Sequence, residues 1–373
     1  MAKRTILFQS AHVTAIAQAG AGATTLVSFN EMSTVVDGDR FWGDALFAKQ
    51  DIAAIGIVTP EPSWYPQADM QGAIAALRPH LQGRRVVTYG YSQGGYGALK
   101  YSKALDAAAA FAFCPQWSID PADVKPHDTR FTAYFRPELR NGLRIEAGDL
   151  AANCTILFDK SVYVDLWNAG HLLAMPGVRA VPCPFTGHET IKLPAQSGRS
   201  GALIAAFLRE ADDYTRPLRQ AMRGARQGSP TYHAIRANRL LDAGKRALVE
   251  RLLRGVAADV ALEARVRLAA ANGRFEEARR LILASPPGAL EYFDLLRCWR
   301  LCRDHGLADA ELRVAGEILA YREADGHARL HSVHSLIKAG RAQDAKTALR
   351  GIVARFGDEI GVAGINAYLR GLG

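Results

Sequence analysis

The chain reads Arg-Arg-Val-Val-Thr-Tyr-Gly-Tyr-Ser-Gln-Gly-Gly-Tyr-Gly over residues 84–97, and this stretch decides the fold. A β-branched run leads directly into the segment Gly90–Gly94, which has the pattern G-x-S-x-G with Ser92 at its centre. We predict a strand over Arg84–Tyr89, a sharp turn, and a helix from Gln93 to about residue 105. Glycines two positions before and after the serine remove Cβ atoms that would collide at so tight a turn.

Strand-like and helix-like patterns alternate through the first 213 residues. Short apolar runs are predicted as strands at Thr5–Gln9, Val13–Ala17, Thr24–Phe29, Ile52–Val58, Ala107–Phe113, Thr155–Phe158 and Val178–Pro182. Helical patterns lie at Phe41–Lys49, Pro66–Leu81, Ser161–Met175 and Ser200–Asp213. The alanine-rich run at 107–113 is also compatible with a helix. The alternation predicts an α/β fold with a mostly parallel sheet covered on both faces.

From about residue 229 the pattern is helical throughout and self-similar. Gly244, Gly273, Gly306 and Gly340 each precede an alanine-containing helix, at spacings of 29, 33 and 34 residues. Such spacing is typical of stacked helix–turn–helix repeats. The segment resembles tetratricopeptide repeats (TPR) in a degenerate form that lacks the consensus Trp and Pro, and an irregular helical bundle is the alternative. We therefore predict domains at 1–214 and 229–373, joined by an arginine-rich linker at 215–228.

Composition limits the classes of function. The chain of 373 residues has 49% hydrophobic and 22% charged residues, which is ordinary for a globular protein, and its net charge is +9. Residues 229–373 carry 23 basic and 17 acidic side chains, and these are scattered along amphipathic helices without interleaved aromatic residues. This distribution favours a solvated arginine-rich surface over a nucleic-acid site.

Cysteines and apolar stretches indicate the compartment. The five cysteines show no close pairing that would predict a disulfide framework or a zinc site, so we expect buried thiols. No apolar stretch reaches the roughly 18 residues that a membrane span requires. The N-terminus lacks the longer apolar core of a secretory signal. We expect a cytoplasmic protein without a membrane span.

Three residues with complementary chemistry follow three predicted strands. A serine hydroxyl becomes nucleophilic when a histidine takes its proton and an acid orients that histidine. Ser92 follows one strand, Asp159 directly follows Thr155–Phe158, and His188 follows the last strand. We favour Asp159 over Asp165 as the acid, since Asp165 also suits a helix N-cap, and we favour His188 over His171, which lies inside a predicted helix.

With this order of residues, the chain from about residue 5 to 213 resembles the α/β-hydrolase superfamily. The resemblance implies an α/β-hydrolase fold with an eight-stranded sheet, a triad of Ser92, His188 and Asp159, and no metal or organic cofactor. It also implies a cap-like insert at about 115–150. Three aromatic residues of that segment would be its apolar contacts: Phe131, Tyr134 and Phe135.

Loops at the same edge of the sheet supply the other candidate residues. An oxyanion hole needs two backbone N–H groups. We expect one from Gln93 and the other from Asn30 or Glu31, with Asn30 preferred. The Trp64-Tyr65 pair follows the strand that ends near Val58 and would either line an acyl or sugar pocket or cover the core.

These residues predict a serine hydrolase that cleaves a small acyl ester through an acyl-enzyme. The same triad could serve a thioesterase or an acyltransferase. The helical repeats would bind a protein partner or mediate self-association. A non-catalytic interaction protein that works through its repeats is the alternative from another class.

Overall fold

The computed structural model describes residues 4–34, 38–257, 260–290, 292–321 and 326–360. The chain divides into two compact units, Met1–Tyr232 and His233–Gly373. The first unit alternates strands and helices, and the second is helical.

One eight-stranded sheet organises the first unit. Its strands are β1 (Arg4–Gln9), β2 (Thr14–Gln18), β3 (Ala21–Phe29), β4 (Ile52–Val58), β5 (Arg85–Tyr91), β6 (Ala107–Phe113), β7 (Cys154–Phe158) and β8 (Val178–Pro182). They lie in the order β1-β2-β4-β3-β5-β6-β7-β8. β2 pairs antiparallel with β1 and β4, and all other pairs are parallel. The predicted α/β-hydrolase fold with its mostly parallel sheet is confirmed, and the alanine-rich run is a strand.

Helices cover both faces of this sheet. They are α1 (Asp44–Lys49), α2 (Gln67–Leu81), α3 (Gln93–Lys100), α4 (Pro121–Val124), α5 (Tyr163–Leu173), α6 (Lys192–Gln196), α7 (Ser200–Leu208) and α8 (Thr215–Gly224). Every residue of β4 and β7 is buried, as expected for strands with a core on each side. One core includes Leu77 of α2 and Leu99 of α3, and the other includes Phe207 of α7.

The segment 115–150 is largely irregular, as the sequence predicts. It contains α4 and three short 3-10 turns, at Thr132–Tyr134, Pro137–Leu139 and Ala147–Asp149. Its aromatic side chains Phe131, Tyr134 and Phe135 pack against the core. The segment therefore has its own apolar attachment to the sheet domain.

The segment 215–228, expected as a linker, belongs to the first compact unit. It forms α8 followed by the 3-10 turn Arg226–Gly228. Leu218 and Met222 of α8 are buried in the core beside β8 and α7, while its arginines face outward. The arginine density suggested a linker, but the apolar residues four positions apart give this helix a buried side.

The second unit is a series of helix pairs. Its helices are α9 (Pro230–Asp242), α10 (Arg246–Arg254), α11 (Leu262–Ala271), α12 (Phe275–Ala284), α13 (Tyr292–Asp304), α14 (Ala308–Ala320), α15 (Gly326–Lys338) and α16 (Ala342–Ile360). α9 begins just before the boundary between the units. The predicted helix–turn–helix pattern is confirmed, whereas a relationship to TPR stays a prediction.

The four repeated glycines join these pairs in the same way. Gly244, Gly273, Gly306 and Gly340 have φ between 69° and 73° and follow the ends of α9, α11, α13 and α15. At Gly273 the N–H donates to Ala270 O (2.9 Å), and the next N–H donates to Ala269 O (2.8 Å). This is the Schellman arrangement, which satisfies the last carbonyls of a helix and favours glycine in the left-handed position.

The cysteines agree with the expectation of buried thiols. All five are free and buried. Within the described ranges, no helix is long and apolar enough to cross a membrane.

Candidate active site

The turn between β5 and α3 presents Ser92 in a strained conformation. Ser92 has φ 52° and ψ −119°, and its N–H donates to Phe113 O at 2.8 Å. A Cβ on Gly90 would lie 2.1 Å from Gly94 O, and one on Gly94 would lie 2.2 Å from Phe29 O. Only glycine fits at either position, so the backbone contacts around the elbow enforce the geometry that the G-x-S-x-G pattern predicts.

Ser92, His188 and Asp165 form a continuous hydrogen-bonded chain. His188 Nε2 lies 3.1 Å from Ser92 Oγ, and His188 Nδ1 lies 2.9 Å from both carboxylate oxygens of Asp165. An ionised carboxylate only accepts hydrogen bonds, so Nδ1 carries the proton and Nε2 is free to accept the serine proton. Asp165 is buried with its side chain 1% exposed, whereas the His188 side chain is 24% exposed.

Asp159, the preferred acid, occupies a different position in the structure. Its Oδ2 accepts hydrogen bonds from the backbone N–H groups of Thr186 (3.0 Å) and Gly187 (3.1 Å). The structure thus places Asp159 beneath the loop that presents His188 and places Asp165 on the imidazole. The preference for Asp159 is corrected to the alternative, Asp165. Asp165 lies in the first turn of α5 and its side chain points inward. The order of strands and loops in the sequence does not specify the direction of a helix side chain.

A second ion pair lies behind the histidine. Arg130 Nη2 contacts Asp165 Oδ1 at 3.1 Å and Asp128 Oδ2 at 2.8 Å, while Asn168 Nδ2 also donates to Asp128 Oδ2. Burial raises the pKa of the Asp128 carboxyl, but the hydrogen bonds and charge of Arg130 outweigh burial and lower it overall. Asp128 therefore stays ionised and holds the guanidinium against Asp165.

The 3.4 Å approach of Arg130 Nη1 to His188 Nδ1 is a contact between two donors, since Asp165 already fixes the proton on Nδ1. No motif or strand end marks Arg130 or Asp128 in the sequence, because both come from the irregular segment 115–150. Their only sequence signal is an Asp-x-Arg spacing, which is common on protein surfaces.

The two expected oxyanion donors differ in availability. The Gln93 N–H is the first of α3, so it has no acceptor within the helix. The Asn30 N–H instead donates to Ile57 O at 3.3 Å, within the sheet. The expectation that Asn30 supplies the second oxyanion N–H is therefore wrong. The alternative, Glu31, has the next N–H along the loop.

The Asn30 side chain holds this loop in place. It is buried, its Oδ1 accepts from Thr59 N at 2.9 Å, and its backbone oxygen accepts from Tyr65 OH at 2.6 Å. The residue therefore shapes the loop after β3 instead of supplying an oxyanion N–H.

Trp64 and Tyr65 are fully buried. They therefore belong to the core, and the alternative expectation that they line a substrate pocket is wrong. Both adopt positive φ, 45° and 53°. The side-chain oxygen of Gln93 accepts from Trp64 N at 3.4 Å and from Ser63 N at 3.2 Å. Trp64 packs on Phe131 from segment 115–150, with ring centroids 5.0 Å apart. The pair thus connects that segment to α3.

Gln116 is a further neighbour of Ser92 that was not predicted from the sequence. It is fully buried, and its Nε2 lies 3.3 Å from Ser92 Oγ. It follows the β6 strand end directly after Cys114 and Pro115, as Ser92 follows β5. That position at the shared edge of a parallel sheet was a usable signal.

One group of metal-ligating side chains occurs in the part of the chain that the structure describes. Cys114, Asp165 and His188 place one ligand atom each within 4.8 Å of one another. Burial, reinforced by the charge of Asp165, holds the pKa of the Cys114 thiol well above its usual value. Cys114 Sγ also lies 3.2 Å from Thr190 Oγ1. Each of the three side chains thus has a hydrogen-bonding partner beside Ser92.

Solved structures of similar fold exist, all at low sequence identity. No protein-family profile and no curated protein sequence matches the chain. Among solved structures, it is similar to the capsule O-acetyltransferase of Neisseria meningitidis serogroup A, at 12% identity over 49% of this chain and 88% of that one, with a TM-score of 0.36. It is also similar to a carboxylesterase of Bacillus subtilis, at 12% identity over 56% and 92%, with a TM-score of 0.36.

A third similar structure is an α/β serine hydrolase without a lid from Xanthomonas campestris. The identity is 13% over 57% of this chain and 87% of that one, with a TM-score of 0.31.

Proposed function

We propose that the first unit is a serine hydrolase that cleaves a small acyl ester through a Ser92–His188–Asp165 triad. The observation that carries this proposal is the unbroken chain of contacts, 3.1 Å from Ser92 Oγ to His188 Nε2 and 2.9 Å from Nδ1 to Asp165. A neutral imidazole held in this tautomer is the base that a serine nucleophile requires.

The reaction runs in two steps. Ser92 Oγ attacks the ester carbonyl as His188 takes its proton, and the alcohol leaves with the proton that His188 returns. Water then attacks the acyl-enzyme as His188 takes a proton from it, and Ser92 recovers its proton when the acid departs. The N–H groups of Gln93 and Glu31 would bind the oxyanion in both steps, and each such donor is typically worth about 3 kcal/mol of barrier.

The position of Asp165 supports the assignment of the acid. Its carboxylate is buried and held by Arg130, so it can stabilise the imidazolium without leaving the site. Asp159 supports the same histidine indirectly, through the backbone of its loop.

Ester turnover tests the proposal. A panel of p-nitrophenyl esters of increasing acyl length would be assayed with the full chain, Ser92→Ala and His188→Ala. We expect turnover for the shorter esters and a loss of at least about 1,000-fold in both variants. Thioester and alcohol-acceptor assays on the same proteins separate thioesterase and acyltransferase activities. Turnover that survives Ser92→Ala would refute the proposal.

We also propose that the helical unit binds a protein partner or a second copy of the chain. The regular glycine-linked helix pairs support this, because stacked pairs present an extended surface. Light scattering on the full chain, alone and with lysate proteins, tests it. A strict monomer under both conditions would count against this role.

A further inference from the structure

We infer that Gln116 is a catalytic residue, whose side-chain amide donates a hydrogen bond to Ser92 Oγ and stabilises the charge that this oxygen carries during acyl transfer. The inference rests on the proposed function. It adds a donor on the nucleophile oxygen itself, separate from the N–H groups that face the carbonyl oxygen.

The orientation of the amide is fixed by a donor-only partner. Gln116 Oε1 lies 3.2 Å from Trp64 Nε1, and an indole N–H can only donate. The oxygen must therefore face Trp64, which leaves the NH2 group toward Ser92. One hydrogen of Nε2 is directed to Ser92 Oγ and the other to Cys114 O, both at 3.3 Å.

Trp64 is itself held in place. It is fully buried, stacks on Tyr134 with centroids 5.5 Å apart, and has its backbone N–H on the side chain of Gln93. A positive φ at a bulky residue persists only where the surroundings impose it. The strained loop after β4 therefore positions the indole N–H of Trp64, and this donor sets the orientation of the Gln116 amide.

The contact determines where the serine proton points. When Gln116 donates to one lone pair of Oγ, the serine hydroxyl directs its own hydrogen to His188 Nε2, 3.1 Å away. As His188 removes that proton, negative charge grows on Oγ and the bond from the amide strengthens.

The same oxygen is charged again in the second step. Water adds to the acyl carbon as its proton passes to His188. The bond from carbon to Oγ then breaks, its electron pair stays on Oγ, and the proton of His188 Nε2 returns there. A donor on Oγ favours this departure, so Gln116 acts in both acylation and deacylation.

Two substitutions separate the donor from the side chain's size. Gln116→Met removes the donor at similar volume. Gln116→Glu keeps an acceptor for Trp64 Nε1 but supplies a donor only when the carboxyl is protonated. Gln18→Met is the matched control, because Gln18 is also a buried glutamine. It lies on β2 opposite the beginning of β4, whereas Ser92 follows the opposite end of the parallel strands, so Gln18 is remote from Ser92.

Pre-steady-state release of p-nitrophenol measures acylation and deacylation separately. For Gln116→Met we expect both rate constants to fall about 10- to 100-fold, with the control unchanged. For Gln116→Glu we expect activity relative to wild type to fall as pH rises, because ionisation removes the donor. A merely structural side chain would give a ratio that does not change with pH.

The inference is overturned if Gln116→Met retains both rate constants within twofold, or if the Gln116→Glu ratio is independent of pH. Circular dichroism of each variant excludes loss of fold as the cause. The burst of p-nitrophenol released by the wild-type chain distinguishes a failure of the role of Gln116 from a failure of the proposed function. If the wild-type protein shows no burst and no labelling at Ser92 by a fluorophosphonate, then the proposed function itself fails.

Discussion

The glycines of the nucleophile turn and the glycines of the helix pairs occupy opposite surroundings. A Cβ on Gly94 would lie 2.2 Å from Phe29 O of β3, and one on Gly90 would lie 2.1 Å from Gly94 O across the turn itself. A Cβ on Gly273 or Gly306 would meet nothing within 4 Å, and only their positive φ favours glycine. The turn in the first unit therefore depends on close backbone contacts, one of them with a distant strand, whereas the second unit builds its turns from local helix-end chemistry.

The largest effect should come from placing a side chain into the tight turn. Gly94→Ala would force Phe29 and Asn30 away from α3, and with them the oxyanion loop. A displacement near 1 Å at a reacting group costs about 100-fold in rate, so we expect at least that loss in ester turnover. Gly273→Ala is the control and should keep full activity. Equal activity in the two variants would remove the distinction between the two kinds of glycine.

The next effect separates the two aspartates of the first unit. Asp165→Asn should lower kcat roughly 10,000-fold, because the amide no longer fixes the productive tautomer of His188. Asp159→Asn keeps an oxygen for Thr186 N and Gly187 N, so we expect kcat within about tenfold of wild type. Steady-state kinetics and thermal melts on both variants check this. The reverse order of losses would restore Asp159 as the acid.

A smaller effect concerns the charge behind the histidine. Arg130→Gln removes the guanidinium that contacts both Asp165 and Asp128, so Asp165 loses a partner that holds it against His188. We expect kcat for ester turnover to fall roughly 10- to 100-fold, since a small displacement of a positioned group has an effect of this size. Arg130→Lys, which keeps the charge, is the control. An unchanged kcat in Arg130→Gln would show that Arg130 does not position Asp165.

The smallest effect lies in the helical unit. Gly306→Ala keeps the helix ends but places alanine at φ 69°. Left-handed backbone costs a non-glycine residue about 1 kcal/mol, so we expect a decrease of roughly 2–4 °C in melting temperature, with ester turnover unchanged. A decrease above 10 °C would mean that these turns carry long-range contacts after all.

Local patterns predicted most of the fold. The strands Ile52–Val58, Ala107–Phe113 and Val178–Pro182 have the bounds read from the sequence, because buried parallel strands are continuous apolar runs. The glycine spacing located all four helix-pair turns for a similar reason. Each of these signals lies within a few residues of the structure it specifies.

The sequence predicted the site residues only where a local motif or the order of strand ends specifies their position. Ser92, Gln93 and His188 follow from the G-x-S-x-G turn and the order of strand ends. Asp165, Arg130 and Gln116 depend on which way a helix or an irregular segment turns its side chains, and long-range packing decides that direction. Long-range packing also decides the burial of Trp64 and Tyr65, which their position after a strand does not specify.

The proposed reaction depends most on the nucleophilicity of Ser92. Intact-protein mass spectrometry after treatment with a fluorophosphonate, followed by peptide mapping, measures it directly in the full chain. We predict one adduct per chain, on Ser92, with none on Ser92→Ala and much slower labelling of His188→Ala. Equal labelling of wild type and Ser92→Ala, or an adduct mapped to another residue, would contradict the account.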